Sequence, residues 1–492
     1  MMHEPEKSDS SIVAVKPTNK LGQPRAEPGE PREGTEGNVG KPDMCRTLCR
    51  ESMFQGLDRV RQAAKKGKKE RFTALLHHVT VDLLRDAYSW LKRDAAPGVD
   101  GITWQEYGRT LDANLVGLHE RVHRGRYRAL PSRRKFIAKP DGRQRPLGIA
   151  ALEDKIVQRA LVEVLNAVYE EDFLGFSYGF RPKRGQHDAL DALAVGIGRR
   201  KVNWILDADV AGFFDAVSHE WLVRFVEHRI GDERVIRLIR KWLQAGVMED
   251  GVVTPTRAGT PQGAVVSPLM ANIYLHYVFD LWANRWRNHP ARGQVIIVRY
   301  ADDIVVGFEH KAQAEQFLAD LRERMEKFAL TPHPQKTRLI EFGRFAAPNR
   351  IKRGLGKPET FNFLGLTHIC GRSARGRFLL MRKSRRDRMR ATLRAIKEAL
   401  RRRMHLPIAQ VGKWLGQVVR GYFNYHAVPT NTESLAAFKH HVTVLWRRAL
   451  QRRSQKDRTT WERMTRLAAD YLPVARVLHP WPDARFDVKY PR

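Results

Sequence analysis

The stretch "RYADDIVVGF", residues 299–308, sets two carboxylates, Asp302 and Asp303, between the apolar runs "QVIIV" and "IVVGF". A second apolar segment, "ILDADVAGFFD" at 205–215, delivers Asp207 and Asp209 to its end. Both runs read as buried strands, and strand alternation places Asp207 and Asp209 on one face. Acidic side chains there are tolerated when they are protonated, paired with basic groups or bound to a cation. An ion pair is available in sequence, since Arg299 and Asp303 could share a face of an extended strand. If the two segments pair, three carboxylates converge and their repulsion calls for cations among them. All-oxygen ligands suit Mg²⁺, which keeps waters and recruits substrate phosphates. Two such ions about 4 Å apart stabilise the attacking and leaving oxygens of an in-line phosphoryl transfer.

The composition suggests a partner for that chemistry. In 492 residues, 88 Lys and Arg stand against 54 Asp and Glu, for a net charge of +34 and a pI near 10.5. Such a field attracts polyanions, nucleic acid above all. The excess is uneven: Gly371 to Arg492 holds 29 basic against 8 acidic residues, a net of +21. No apolar run reaches the roughly 18 residues of a membrane span. The N-terminus lacks the apolar core of a secretion signal, so a cytoplasmic, nucleoid-associated protein with no membrane partner is expected. Three cysteines, Cys45, Cys49 and Cys370, do not make a disulfide framework. Cys45 and Cys49 lack the second pair a zinc site would need.

The elements that must position the carboxylates can be read from periodicity. Residues 1–52 are rich in Pro, Gly, Glu and Lys and read as disordered or weakly ordered. Residues 53–375 alternate helix and strand. A helix starts near Thr80, "RRKFIAKPDGRQRPLGI" reads as a hairpin turning at Asp141-Gly142, and Ser267 reads as an N-cap before Pro268. The class is α+β. Residues 376–455 read as a three-helix bundle, and 456–492 as a basic tail that lies across another surface and binds nucleic acid.

The motifs carry a resemblance. "YADD" between strands, with "DVAGFFD" upstream, resembles the palm of a reverse transcriptase. "TPQGAVVSPLMANIYL", "RPLGI", "YGFRPKRG", "TPHPQKT" and "FNFLGL" stand in that family's order. Together, over residues 65–492, they resemble the bacterial group II intron-encoded reverse transcriptase/maturase, in the form without a C-terminal endonuclease domain. The sequences of diversity-generating elements and retrons depart from this pattern, and viral RNA polymerases carry Gly-Asp-Asp at the turn. A host-domesticated (defence) reverse transcriptase, or a maturase with an idle polymerase site, is the alternative.

The resemblance implies a right-hand polymerase, with fingers and a palm built on a mixed or antiparallel sheet, followed by an all-helical thumb or maturase domain. It implies RNA-directed DNA synthesis with two Mg²⁺ ions, Mn²⁺ as a substitute, and binding of the intron RNA as a splicing maturase. Asp209, Asp302 and Asp303 match the catalytic metal ligands, with the Val210 carbonyl added; Asp207 and Asp215 do not match ligands. Lys139, Arg145, Phe214, Gln262 and Lys336 match nucleotide-binding positions, Phe214 as the sugar gate. Gly263 lets backbone approach closely at the template and primer. Arg143, Arg181, Lys183, Arg184, Arg420, Tyr422 and Tyr425 are expected to bind RNA, by phosphate pairing and base stacking. Partners implied are group II intron RNA, RNA template with DNA primer, target DNA and deoxynucleoside triphosphates; a homodimer stays open. With no Cys beyond Cys370, no second-strand DNA cleavage is expected, and mobility would prime from single-stranded DNA or replication forks.

Overall fold

The computed structural model describes residues 44–138, 144–249, 251–256, 258–260, 262–289, 293–453 and 459–489. Among these, the strands in chain order are β1 (Ser132–Ala138), β2 (Gln144–Ile149), β3 (Trp204–Ala208), β4 (Val247–Glu249), β5 (Val252–Thr254), β6 (Val295–Tyr300), β7 (Asp303–Phe308), β8 (Arg338–Glu341), β9 (Phe361–Phe363), β10 (Leu366–Arg372) and β11 (Phe378–Ser384). They form three sheets, ordered β2-β1-β4-β5, β6-β7-β3-β8 and β11-β10-β9. The second sheet is antiparallel throughout. The mixed sheet is the first, where β1 runs parallel to β4.

The palm sheet β6-β7-β3-β8 is buried on both faces, which explains why its strands read as near-continuous apolar runs. Leu206, Ala208, Ile297, Ile304, Val306 and Phe308 enter one core, shared with the long buried helix Leu152–Asp172. Ile205, Ile296, Val298, Val305 and Ile340 enter another, shared with the helix Gln186–Arg199 and with β9 to β11. Strand alternation sorts the two sets. A third core belongs to the thumb helices Arg386–Arg402, Ile408–His426 and Thr432–Gln451.

Several local expectations shift. The first helix runs Met44–Lys66 and so begins before residue 53. Thr80 caps the helix Val81–Trp90 by accepting from the Leu83 amide at 3.2 Å. Ser267 is itself the first helical residue, and Val266 stands at the N-cap position. The Asp141-Gly142 turn lies outside the described residues.

The tail lies across two other surfaces. The helix Trp461–Tyr471 buries Met464 and Ala468 in the thumb core, and Gly412 and Gly416 let it pack closely. A Cβ on Gly412 would stand 2.6 Å from the Tyr471 ring, and one on Gly416 2.5 Å from its carbonyl oxygen. The last helix, Pro482–Lys489, crosses back onto Gln186–Arg199. There Arg199 pairs with Asp483 and Asp487 at 2.7 Å, Arg485 with Asp191 at 2.6 Å and Lys489 with Asp188 at 2.5 Å. These charges of the last helix seat a protein strap, while Arg463, Arg466 and Arg476 of the same tail are exposed.

Candidate active site

β6 and β7 form a hairpin whose last pair is Tyr300 and Asp303, so Ala301 and Asp302 are its loop. β3 pairs with β7, not β6, and its register sets Ala208 opposite Ile304. One residue further, Asp209 stands level with Asp303. Asp207, Asp209, Asp303 and Val305 share one sheet face. Arg299 lies opposite Ile304 and points to the other face, so the pair it could have made with Asp303 does not form. The reason is the turn between them, which resets the alternation. Arg299 is instead fully buried and forks onto Asp280, Nε to Oδ1 at 2.7 Å and Nη2 to Oδ2 at 2.6 Å.

The converging carboxylates perturb one another. Asp303 is pushed up to about 7, first by desolvation and then by the charges of Asp302, Asp209 and Asp207. Asp303 is exposed, so water moderates both the burial and the repulsion. Asp302 is raised by burial and by Asp209, against the pull of Arg145 and Lys336. Burial lifts Asp207 to about 6, although Arg338 stands 3.6 Å away. The Lys336 ammonium reaches Asp209 at 2.5 Å.

Among the described residues, no group of three His, Cys, Asp or Glu side chains is drawn together closely enough to hold a metal. The donor chemistry nevertheless fits a hard divalent cation: carboxylate oxygens that repel one another in the absence of positive charge. Val210 forms an antiparallel bridge with Pro332. That bridge uses the Asp209 carbonyl, which accepts from His333 at 2.7 Å, and the Ala211 amide, which donates to Thr331 at 2.9 Å. It leaves out the Val210 carbonyl.

The neighbouring loops come to the same place. Phe214 is half-buried, edge-on to Phe213 at 5.5 Å between centroids. Its carbonyl accepts from Thr260 at 2.7 Å, and Gly259 (φ +88°) packs so closely that a Cβ would stand 2.9 Å from that oxygen. Gln262 accepts from Arg145 Nε at 2.8 Å and its carbonyl accepts from the Gly148 amide at 2.7 Å. Gly263 (φ +109°) is required by the fingers: a Cβ would stand 2.7 Å from the Gly148 oxygen. The close approach expected at the nucleic acid is made here to β2. Lys139 and Arg143 lie outside the described residues.

Two family models match in tandem. "Reverse transcriptase (RNA-dependent DNA polymerase)" covers residues 137–368, and "Group II intron, maturase-specific domain" covers 389–467. Protein YkfC of Escherichia coli (strain K12) is 35% identical over 261 residues, 47% of this chain and 68% of that protein. Group II intron-encoded protein LtrA of Lactococcus lactis subsp. cremoris is 33% identical over 242 residues, 48% of this chain and 40% of its own length. A putative COX1/OXI3 intron 1 protein of Saccharomyces cerevisiae is 25% identical over 424 residues, 72% of this chain and 50% of that protein. This chain belongs to the group II intron-encoded reverse transcriptases. It is an RNA-directed DNA polymerase by family, with a maturase domain, and the family uses divalent metal ions. No described helix is long and apolar enough to cross a membrane.

The residues expected to bind RNA separate within this reverse transcriptase fold. Arg420 and Lys183 are exposed. Arg181 is not: only 5% exposed, it is bonded to Glu170 at 2.9 Å and to the Leu174 and Ser177 carbonyls at 2.8 Å. Arg184 is half-buried, donating to the Gly175 carbonyl at 2.5 Å with its guanidinium over Tyr178. Tyr422 is buried against Phe438, ring centroids 3.6 Å apart. Tyr425 donates to the Leu364 carbonyl at 2.9 Å, and burial pushes its phenol up to about 12. Arg181 and Tyr422 are therefore core residues, and Arg184 and Tyr425 hold neighbouring segments together. Sequence reading also missed Asp280 and Asn272, which lie beneath the catalytic turn; the charge of Asp280 within the apolar run "HYVFDLW" was the available signal.

Proposed function

We propose that this protein extends a DNA 3′ end along an RNA template from deoxynucleoside triphosphates. We also infer that it binds its own group II intron RNA as a maturase and supports the intron's mobility into target DNA, acting in the cytoplasm at the nucleoid. The observation that carries the catalytic reading is the β3–β7 register, which sets Asp209 level with Asp303 and beside Asp302. Asp209, Asp302, Asp303 and the Val210 carbonyl would hold two Mg²⁺ ions, Mn²⁺ replacing them. Bound there, the ions would supply Lewis acidity and charge neutralisation at the α-phosphate. Lys336, Arg145 and Lys139 present positive charge to the triphosphate, as point charges from Lys and a planar fork from Arg. The Phe214 ring fills the space of a ribose 2′-hydroxyl, and Gln262 packs at the nascent pair. The primer 3′-oxygen forms its bond to the α-phosphorus while the bond to pyrophosphate breaks.

Primer extension on an RNA template with Mg²⁺ and deoxynucleotides tests this, beside Asp302→Ala. The native protein extends, and the variant does not while it binds RNA within a few-fold of native. Loss of RNA binding in the variant would refute the separation of the two roles. No extension by the native protein, with tight RNA binding intact, would leave a maturase whose polymerase site is idle.

A further inference from the structure

The loop that carries Asp302 is held in a conformation alanine disfavours. Ala301, at the first central position of the β6–β7 turn, has φ +55°. Hairpins place glycine, asparagine or aspartate where φ is positive, and a left-handed alanine persists only where its surroundings over-determine it. One buried guanidinium bonds directly to it. Arg299 Nη1 donates to the Ala301 carbonyl at 3.0 Å and to Asn272 Oδ1 at 3.1 Å. Nη2 donates to Ser177 Oγ at 2.7 Å and to Asp280 at 2.6 Å, and Nε to Asp280 at 2.7 Å. Every donor of the fork is used.

Two other elements close on the same turn. The Asn272 amide donates to the Gly179 carbonyl at 2.8 Å, and Gly179 lies so near the loop that a Cβ would stand 2.3 Å from the Ala301 nitrogen. Asp280 ends a π-helical turn, His276–Asp280, that continues the helix Ser267–Leu275. One extra residue in a turn rotates the rest of the helix by about 100°, and such bulges recur at functional sites. The π-turn presents Asp280 to a buried arginine on the sheet face opposite the catalytic one.

We propose that Arg299, seated by Asp280 and Asn272, is a positioning residue: it fixes the Ala301 carbonyl and thereby the place of the Asp302 carboxylate relative to Asp209. The device rests on the reading of Asp302 as a metal ligand. It binds the "YGF" segment, the helix after the "PQG" motif and the catalytic turn into one rigid seat, so that the cleft is organised before nucleotide arrives.

Removing one partner alone would strand a buried charge, so the test removes both. Arg299→Met with Asp280→Leu keeps an apolar core of similar volume, a replacement that buried pairs often tolerate. The milder Asn272→Ala leaves the ion pair in place. Both variants are expected to lower kcat, on the order of 10- to 100-fold for the double variant since a 1 Å misplacement costs that much. KM for deoxynucleotide and RNA affinity should stay near native. Mn²⁺ affinity, read by electron paramagnetic resonance without turnover, should fall in both. Adding Ala301→Gly to the double variant should worsen the Mn²⁺ affinity no further, because the loop is already released. Native Mn²⁺ affinity and kcat in Asn272→Ala and in the double variant, or a loss confined to melting temperature, would overturn the proposal. Activity retained by Asp302→Ala would overturn the ligand reading beneath it; an inactive Asp302→Ala beside native-like Arg299 variants would overturn the positioning role alone.

Discussion

Phe214 shows what a single side chain does when its backbone is fixed from behind. The Thr260 amide holds its carbonyl, Gly259 packs closely beside that oxygen, and Phe213 packs edge-on against its ring. The residue is half-buried, so part of it stays open to solvent. Replacing Phe214 by Ala should reduce the preference for deoxy- over ribonucleotides, measured as the ratio of kcat/KM values, by about 10-fold or more, a change of ~1.4 kcal/mol. Unchanged discrimination would move the sugar gate elsewhere. At this scale the acidic residues were legible because carboxylates at the ends of apolar strands have few low-energy explanations. Arg299 was legible as one half of an ion pair, but its partner was not: the pairing depends on a two-residue turn that reverses which face each residue takes. Arg181 and Tyr422 were misread for a related reason. A basic and aromatic alternation marks residues that stack and pair, and it does not say whether they do so with RNA or with Glu170 and Phe438.

At the scale of elements, the C-terminal helix is the least expected part. Its sequence is short and polar, with Asp483 and Asp487 against Arg485 and Lys489, and no periodicity strong enough to mark a docked helix. What seats it is charge complementarity with Gln186–Arg199, together with Phe486, which is buried in the second core. A ring stack adds to it: His187 and His479 lie 4.0 Å apart, each donating from Nε2, to the Tyr425 and Asn424 carbonyls at 2.9 and 2.8 Å. Thumb, strap and palm therefore meet at one junction. Burial lifts Asp191 to about 6, with Arg485 and Arg382 opposing the shift. Arg485→Ala removes the closer of these cations and leaves Asp191 with Arg382 at 3.3 Å. The expected cost is about 1–2 kcal/mol, below that of a fully buried pair because Arg485 is partly solvated. Hydrogen exchange should quicken in Pro482–Lys489 and in Gln186–Arg199, and not in the sheet β2-β1-β4-β5. Exchange unchanged in both helices would mean the ion pairs do not hold the strap. The palm, by contrast, was readable as strands and helices because its apolar runs are long and its motifs stand in order; which strand β3 joins was left to the register.

For the whole molecule, the question is how much of the +34 charge remains for nucleic acid. Part of the C-terminal excess is neutralised by acids outside that segment: Arg382 and Arg485 on Asp191, and Lys489 on Asp188. The first thumb helix keeps much of the remainder in the open, with Arg386, Arg390, Arg394, Lys397, Arg401 and Arg402 exposed and Ile396 and Leu400 turned into the core. An amphipathic helix of this kind offers phosphates one continuous positive face. If about six such contacts form with single-stranded RNA, the slope of log affinity against log salt is about −4, since each phosphate releases roughly 0.7 counterion. RNA binding should then weaken by more than about 100-fold between 50 and 200 mM salt. Replacing Arg394 and Lys397 together by Ala should flatten the slope by about 1.4, because each of the two contacts carries its own share of released counterion. Titrations at four salt concentrations measure both quantities. A native slope near zero would show that RNA is held by stacking and shape with little help from charge. A native slope as steep as expected, but unmoved by the double replacement, would place the phosphates on another face of the molecule and leave the thumb helix to some other contact.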